Sequence, residues 1–220
     1  MKLMNLKAIY PVPNTSKSNI TDFVYPYLLR TINISKPNHV WQTDITYLRT
    51  NHGFVYLVAL IDVYSRLVVG YNLSNSLSTE GCLLALENAT IKYGKPDIIN
   101  SDHGSQFTSL AWITKLNEEN IAISMTSYGR SNDNAYIERL WRSFKYEGSY
   151  LYQWRNIADL KINIPKWISW YNTQRPHQAL VYQTPAEVYY GFMNNASCAS
   201  FINEHIYQSQ LYNNILRTDL

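Results

Sequence analysis

A mixed α/β sheet with helices on both faces is the fold class this sequence predicts, on three observations. Residues 40–73 hold three strand-like stretches joined by turns too short for crossovers, so neighbouring strands must pair antiparallel. From residue 79 onward, helical patterns alternate with short apolar strands, and helical crossovers return a chain to strands parallel to the first. The 220-residue chain is 46% hydrophobic and 16% charged, enough apolar material for one substantial core and too little charge for a disordered chain.

The first strand covers 40–48. Its alternation puts Trp41, Thr43, Ile45 and Tyr47 on one face and Gln42, Asp44 and Thr46 on the other, which makes Asp44 a mid-strand residue on a polar face. The turn Asn51-His52-Gly53 leads into a strand over 54–62, a turn near Tyr64-Ser65 into a third over 66–73, and a helix spans 79–93. A strand at 97–101 ends beside Asp102. Ser-Asp-His-Gly then reads as a tight turn before a helix over 107–119, with Ser105 as its N-cap. Gly104 in that turn serves either a positive φ or a close backbone approach to a phosphate.

A fifth strand at 121–125 precedes a strongly patterned helix over about 133–146. Tyr136, Ile137, Leu140, Trp141 and Phe144 form its apolar stripe, while Glu138, Arg142 and Lys145 share another face. Further on, Ile157, Leu160, Ile164, Trp167, Ile168 and Tyr171 keep helical spacing, but Pro165 predicts a bend or two separate pieces. Residues 201–217 suit one weak helix, and no internal repeat is evident.

Asp44, Asp102 and Glu138 are the chemically informative set, with 35 residues between the second and third (138 − 102 − 1). Two divalent ions held roughly 3.5–4 Å apart need bridging and terminal carboxylates to activate a nucleophile and stabilise a leaving oxygen in phosphodiester chemistry. Each acid alone has an ordinary explanation: an edge-strand Asp, a turn Asp, and a Glu138–Arg142 surface pair worth a few tenths of a kcal/mol. Against these, Asp is depleted inside strands, and carboxylates at the C-terminal ends of strands face the crevice where α/β proteins keep their ligands.

The acids sit in a series of ordered motifs: WQTDITY (41–47), GFVYLVALIDVYSR (53–66), KYGKP (92–96), SDHGSQFTS (101–109), GRSNDNAYIERLWRSFKYE (129–147) and YNTQRPHQALVYQTPAEVY (171–189). Over residues 36–191 this series resembles the catalytic core of insertion-sequence transposases and retroviral integrases, most closely the second-frame protein of the insertion-sequence-three family. The resemblance implies a ribonuclease-H-like, five-stranded mixed sheet in which the first and fourth strands are adjacent. It implies a two-metal polynucleotidyl transferase whose catalytic, metal-binding acids are Asp44, Asp102 and Glu138, with two Mg2+ or Mn2+ ions. The implied reaction is donor-strand nicking and strand transfer, with element ends and target DNA as partners. A homo-oligomer on DNA and an upstream-frame helix-turn-helix protein are implied as further partners. Ser131-Asn132 departs from the pattern, where family members often carry a bulky residue.

Residues 125–180 hold eight Lys or Arg against four acids, a richer balance than the formal net charge of +3 for the whole chain. Beside a metal site for phosphodiester chemistry this basic stretch reads as a track for the DNA backbone. Its candidate contacts are Arg130, Arg139, Arg142, Lys145, Arg175 and His177; a mixed solvated surface, or a Pro-ended helix with a satisfied His, is the ordinary alternative.

The domain organisation expected is a linker remnant over 1–35 after a missing helix-turn-helix region, a catalytic core over 36–191, and a tail over 192–220 of no assigned role. The longest apolar run, residues 54–61, is far below the roughly 18 residues of a membrane span, and a cytoplasmic, nucleoid-associated protein is expected. Cys82 and Cys198 form no Cys-x-x-Cys pair, so neither a zinc site nor a disulfide framework is indicated. Two rival readings remain: a ribonuclease-H-type nuclease, for which only Asp62 or Asp97 offers a fourth carboxylate, and a truncated, non-catalytic fragment that binds DNA or full-length transposase.

Overall fold

In the computed structural model, residues 24–51, 53–127, 131–152, 154 and 156–193 are described. The helix expected at 201–217, Arg130 and Cys198 lie outside them. Three strands, β1 (Val40–Thr50), β2 (Gly53–Asp62) and β3 (Val68–Ser74), run antiparallel in sequence order. Helix α1 (Thr79–Tyr93) crosses to β4 (Ile98–Ser101), and α2 (Leu110–Glu118) crosses to β5 (Ala122–Met125). β4 pairs parallel with both β1 and β5, so the five strands lie in the order β3-β2-β1-β4-β5.

Alternation along the strands sends side chains to two cores. Val58, Leu60 and Val69 meet Leu86 of α1 and Trp112 and Leu116 of α2 on one face. Leu57, Ala59, Ile61 and Val68 meet two further helices on the other, α3 (Ala135–Phe144) and α5 (Ile157–Thr173). Between these, the chain leaves α3 through a π-helical turn (Lys145–Ser149) and one helical turn, α4 (Tyr150–Tyr152); α6 (Pro185–Met193) returns to the first core through Ala186 and Tyr189. Part of the stretch read as linker is packed: Leu28, Leu29, Ile32 and Ile34 cover Val40, Val63 and Ile98 at one end of the sheet.

Three local expectations are corrected. The cap of α2 is Ser109, not Ser105: its hydroxyl accepts from Trp112 N. The amides of Phe107 and Thr108 turn back to Gly104 O and bury the Phe107 ring against Trp112, so the helix starts later than its pattern suggests. Pro165 does not divide its helix. α5 runs unbroken from Ile157 to Thr173, because burial of Leu160, Ile164, Trp167, Ile168 and Tyr171 offsets the one hydrogen bond a proline removes. Tyr136, assigned to the apolar stripe, is exposed instead, with the Arg66 guanidinium 3.9 Å over its ring.

Edge strand β3 is held by two devices. Asn172 of α5 accepts from Val68 N and donates to Val68 O, standing in for a neighbouring strand. On the other face, Gly70 lets α1 approach so closely that an added Cβ would lie 2.5 Å from Ala85 O and 2.7 Å from Ala89 Cβ. Overpacking of a tight contact costs typically about 1–3 kcal/mol. Gly70→Ala is therefore expected to lose stability of that order in urea unfolding; an unchanged midpoint would show that α1 shifts freely.

Candidate active site

β1 and β4 pair with Val40 opposite Ile98, Trp41 opposite Ile99 and Gln42 opposite Asn100, an offset of 58 residues (98 − 40). Carried one pleat further, that register sets Asp44 beside Asp102 (44 + 58). The ladder stops at Gln42–Asn100, and beyond it the strands part into a cleft of about 180 Å³. Asp44 and Asp102 both line it, together with Tyr47, Tyr56, Leu77 and Gln106.

Neither carboxylate is held by a cation among the described residues. Asp44 Oδ2 accepts from Trp141 Nε1 at 2.9 Å, and Asp102 Oδ1 accepts from Gly104 N at 2.9 Å. Partial burial, then the negative charge of Asp102, push the Asp44 carboxyl up to about 6, with a smaller contribution from Glu138. Like charges confined at short range in a low-dielectric cleft oppose ionisation. Gly104 has no positive φ. Its missing side chain serves Asp102 itself, since a Cβ there would come within 3.0 Å of Asp102 Oδ1.

Glu138 lies in the first turn of α3, exposed and outside the lining of the cleft. Among the described residues no three acid, His or Cys side chains close into a ready-made metal cage. Two of the three predicted acids thus converge, and the third faces solvent nearby. The donors are carboxylate oxygens only, which suit a hard cation such as Mg2+ or Mn2+ rather than zinc, and the strain on Asp44 is what a cation in the cleft would relieve.

Other predicted residues are scattered. Arg139 and Arg142 are exposed on α3, with no Glu138–Arg142 ion pair among the described residues. Lys145 reaches 5.9 Å from the centroid of the Tyr47 ring, which lines the cleft. Arg175 makes a two-pronged pair with Glu147, at 2.5 and 2.6 Å. His177 packs edge-on against Tyr171, and burial followed by the neighbouring Arg175 lowers its pKa to about 4, so it is neutral at physiological pH.

The two possible fourth acids have other duties. Asp62 is buried and accepts from Ser65 N, Ser65 Oγ and Asn38 N, which holds the β2–β3 turn. Asp97 pairs with Lys36 at 2.7 Å. Cys82 is buried, its thiol pushed up to about 12 by burial and then by Asp102.

Sequence reasoning missed the polar groups beneath the acids. Gln42, Asn100, Asp133 and Asn134 are all buried and mutually bonded. The available signal was spacing: Gln42 and Asn100 each precede a candidate acid by two residues, Gln42 on the same strand face as Asp44. Trp141 was read as stripe only, yet its indole also orients Asp44.

A mixed sheet in this order, with acids where β1 and β4 diverge, defines an integrase-type core of the ribonuclease-H-like class. Two sequence families, each described as "Integrase core domain", match residues 34–131 and 119–185. The transposase for insertion sequence element IS629 of Shigella sonnei is 34% identical over 169 residues, covering 75% of this chain and 57% of that protein. The transposase for IS904 of Lactococcus lactis is 33% identical, covering 69% and 61%, and transposase InsF for IS3A of Escherichia coli is 36% identical over 115 residues, covering 51% and 40%. In structure, the HTLV-2 integrase catalytic core domain in complex with magnesium superposes with a TM-score of 0.58 at 22% identity, covering 70% of this chain and 97% of that one. Across residues 34–185 the chain matches the integrase core domain, and its sequence is similar to insertion-sequence transposases. It spans about half the length of the curated relatives it matches.

The Asp44 geometry sets a pH dependence. Its folded pKa of about 6 lies above the ordinary value of 3.8, so ionised Asp44 weakens the fold at every pH above that window, and the penalty is absent below it. Asp44→Asn is expected to raise the metal-free melting temperature at about pH 7.5, with the advantage fading below about pH 4. Equal effects at both pH values would contradict this assignment.

Proposed function

We propose that this chain is the catalytic core of a DNA transposase that nicks and joins phosphodiesters with Mg2+ or Mn2+. The observation that carries the reading is the placement of Asp44 and Asp102 in one cleft, at the open end of the β1–β4 ladder. Asp44, Asp102 and Glu138 are its metal-binding and catalytic acids. When bound, two ions would supply charge neutralisation and activation of the attacking oxygen.

The protein groups prepare that chemistry. Trp141 fixes one oxygen of Asp44 and the Gly104 amide fixes one of Asp102, so both carboxylates are oriented before any cation arrives. With a pKa of about 6, Asp44 is ionised at neutral pH and ready to hold a cation, and protons would compete with the cation only as the pH falls toward 6. Glu138, on the exposed face of α3, would be the third carboxylate to hold the ions. In the first step water attacks a phosphorus and the bond to the bridging 3′ oxygen breaks, leaving a 3′-hydroxyl and a 5′-phosphate. That hydroxyl then attacks a second phosphodiester by in-line displacement.

Arg139 and Arg142, exposed on α3, and Lys145, just past its end and 5.9 Å from the ring of the cleft-lining Tyr47, are the candidate contacts for backbone phosphates. Engagement of Arg175 would require its Glu147 pair to open. The HTLV-2 core is described in dimeric and trimeric forms and a simian relative in an intasome, which supports assembly of this chain as an oligomer on element ends and target. An upstream-frame helix-turn-helix protein remains part of the proposal. No described helix is long and apolar enough to cross a membrane.

Two measurements test the reading. Nicking and joining of labelled duplex DNA in Mg2+ or Mn2+ should fall at least about a hundredfold in Asp102→Asn, since metal charge stabilisation is worth several kcal/mol, while DNA binding persists. An intact chain that binds DNA but is as inert as the variant would instead identify a non-catalytic DNA-binding fragment. Arg142→Ala should weaken DNA binding and reduce the salt slope by about 0.9, the share of one phosphate contact; an unchanged slope removes Arg142 from the track.

A further inference from the structure

We propose that Gln42 and Asn100 are positioning residues, a cross-strand amide clamp that caps the helix bearing Glu138 and fixes where its first turn sits relative to Asp44 and Asp102. Helix α3 lacks an ordinary cap. Its N-cap residue, Asn134, makes no side-chain capping bond. The free amides at the helix start are satisfied from the sheet: Gln42 Oε1 accepts from Tyr136 N at 3.1 Å and Ile137 N at 3.2 Å. Gln42 Nε2 donates to Asp133 O at 3.2 Å, just before the helix.

Asn100 is the register partner of Gln42 in the β1–β4 ladder. Its Nδ2 donates to Asp133 O at 3.1 Å and to Asn134 Oδ1 at 3.3 Å, and its Oδ1 accepts from Ser124 Oγ at 2.8 Å. Asn134 Nδ2 closes the ring by donating to Thr43 O at 3.3 Å. Gln42, Asn100 and Asn134 are 2%, 0% and 5% exposed, so a donor or acceptor left unpaired here finds no water.

The arrangement repeats on both strands. Gln42 and Asn100 each lie two residues upstream of one of the two cleft acids, and both amides grip the start of the helix that carries the third acid. Glu138 follows Ile137 directly, within the clamped turn. Neutral amides do this without adding charge to a cleft that already opposes ionisation of Asp44. A ligand must be held within about 0.5 Å to serve, and apolar contacts alone allow a helix more sliding than bonds with direction do.

This inference rests on the reading of Glu138 as a metal ligand, and the test separates the two. Mn2+ alone is titrated calorimetrically into the full chain, and amide exchange at Tyr136 and Ile137 is followed without metal. Gln42→Met, studied where its circular dichroism is intact, is expected to raise the Mn2+ midpoint roughly 10–100-fold, the usual cost of losing a supporting partner, and to speed exchange at both amides. Asn172→Leu is the control, a buried amide equally engaged in backbone bonds at the far edge strand. It should lower the melting temperature yet leave the Mn2+ midpoint within about twofold, as distant sites do. In a Glu138→Gln background, Gln42→Met should add no further loss of Mn2+ affinity.

The clamp is overturned if Gln42→Met shifts the midpoint no more than Asn172→Leu, or if its shift persists in full without the Glu138 carboxylate. Should Gln42→Met not fold, Asn134→Ala, which removes the bonds to Thr43 and Asn100, is judged by the same comparison. If Asp44→Asn and Glu138→Gln also leave Mn2+ binding unchanged, the metal site itself is refuted and the clamp's role falls with it.

Discussion

Two carboxylates share one cleft because β1 and β4 run parallel at a fixed offset of 58 residues and part just past the Gln42–Asn100 pair. That placement is electrostatically unfavourable in itself. Burial and mutual repulsion hold Asp44 near a pKa of 6, and only a sheet packed on both faces keeps the acids from separating. Much of the local detail serves this constraint. Trp141 and the Gly104 amide supply N–H donors to the carboxylates, and Gly104 has no Cβ to crowd Asp102.

The two faces of the sheet do different work. On one, α1 and α2 build an apolar core around Trp41, Phe107 and Trp112, and Gly70 allows the approach of α1. On the other, α3 joins an apolar contact through Ile137, Leu140 and Phe144 to a polar one at its N-terminus. The apolar stripe decides that the helix lies on the sheet, and the directional amide bonds decide its position along it. Partly exposed surface pairs such as Lys115–Glu119 contribute little by comparison.

Much of the architecture was legible in the sequence. Short turns between apolar stretches implied the antiparallel β1–β2–β3 meander, and the limits of α1 follow from its pattern alone. The misreadings share a cause: periodicity reports which residues lie on a face, not what that face meets. Tyr136 fits an apolar stripe by spacing but stands at the sheet margin under Arg66. Pro165 weakens a helix by itself, yet α5 continues because its buried side is anchored on both sides of the proline. Ser105 has good capping chemistry, and the buried Phe107 turn takes precedence over it.

By itself the sequence determined the order and type of the elements, the apolar faces, and the three acids in their motifs, since these depend on neighbours a few residues away. Tertiary structure alone decided that Asp44 and Asp102 share a cleft, that Arg175 directs its charge to Glu147, and that Gln42 caps a helix at Ile137, 95 residues downstream. Those outcomes depend on strand register and helix docking, which join residues far apart along the chain.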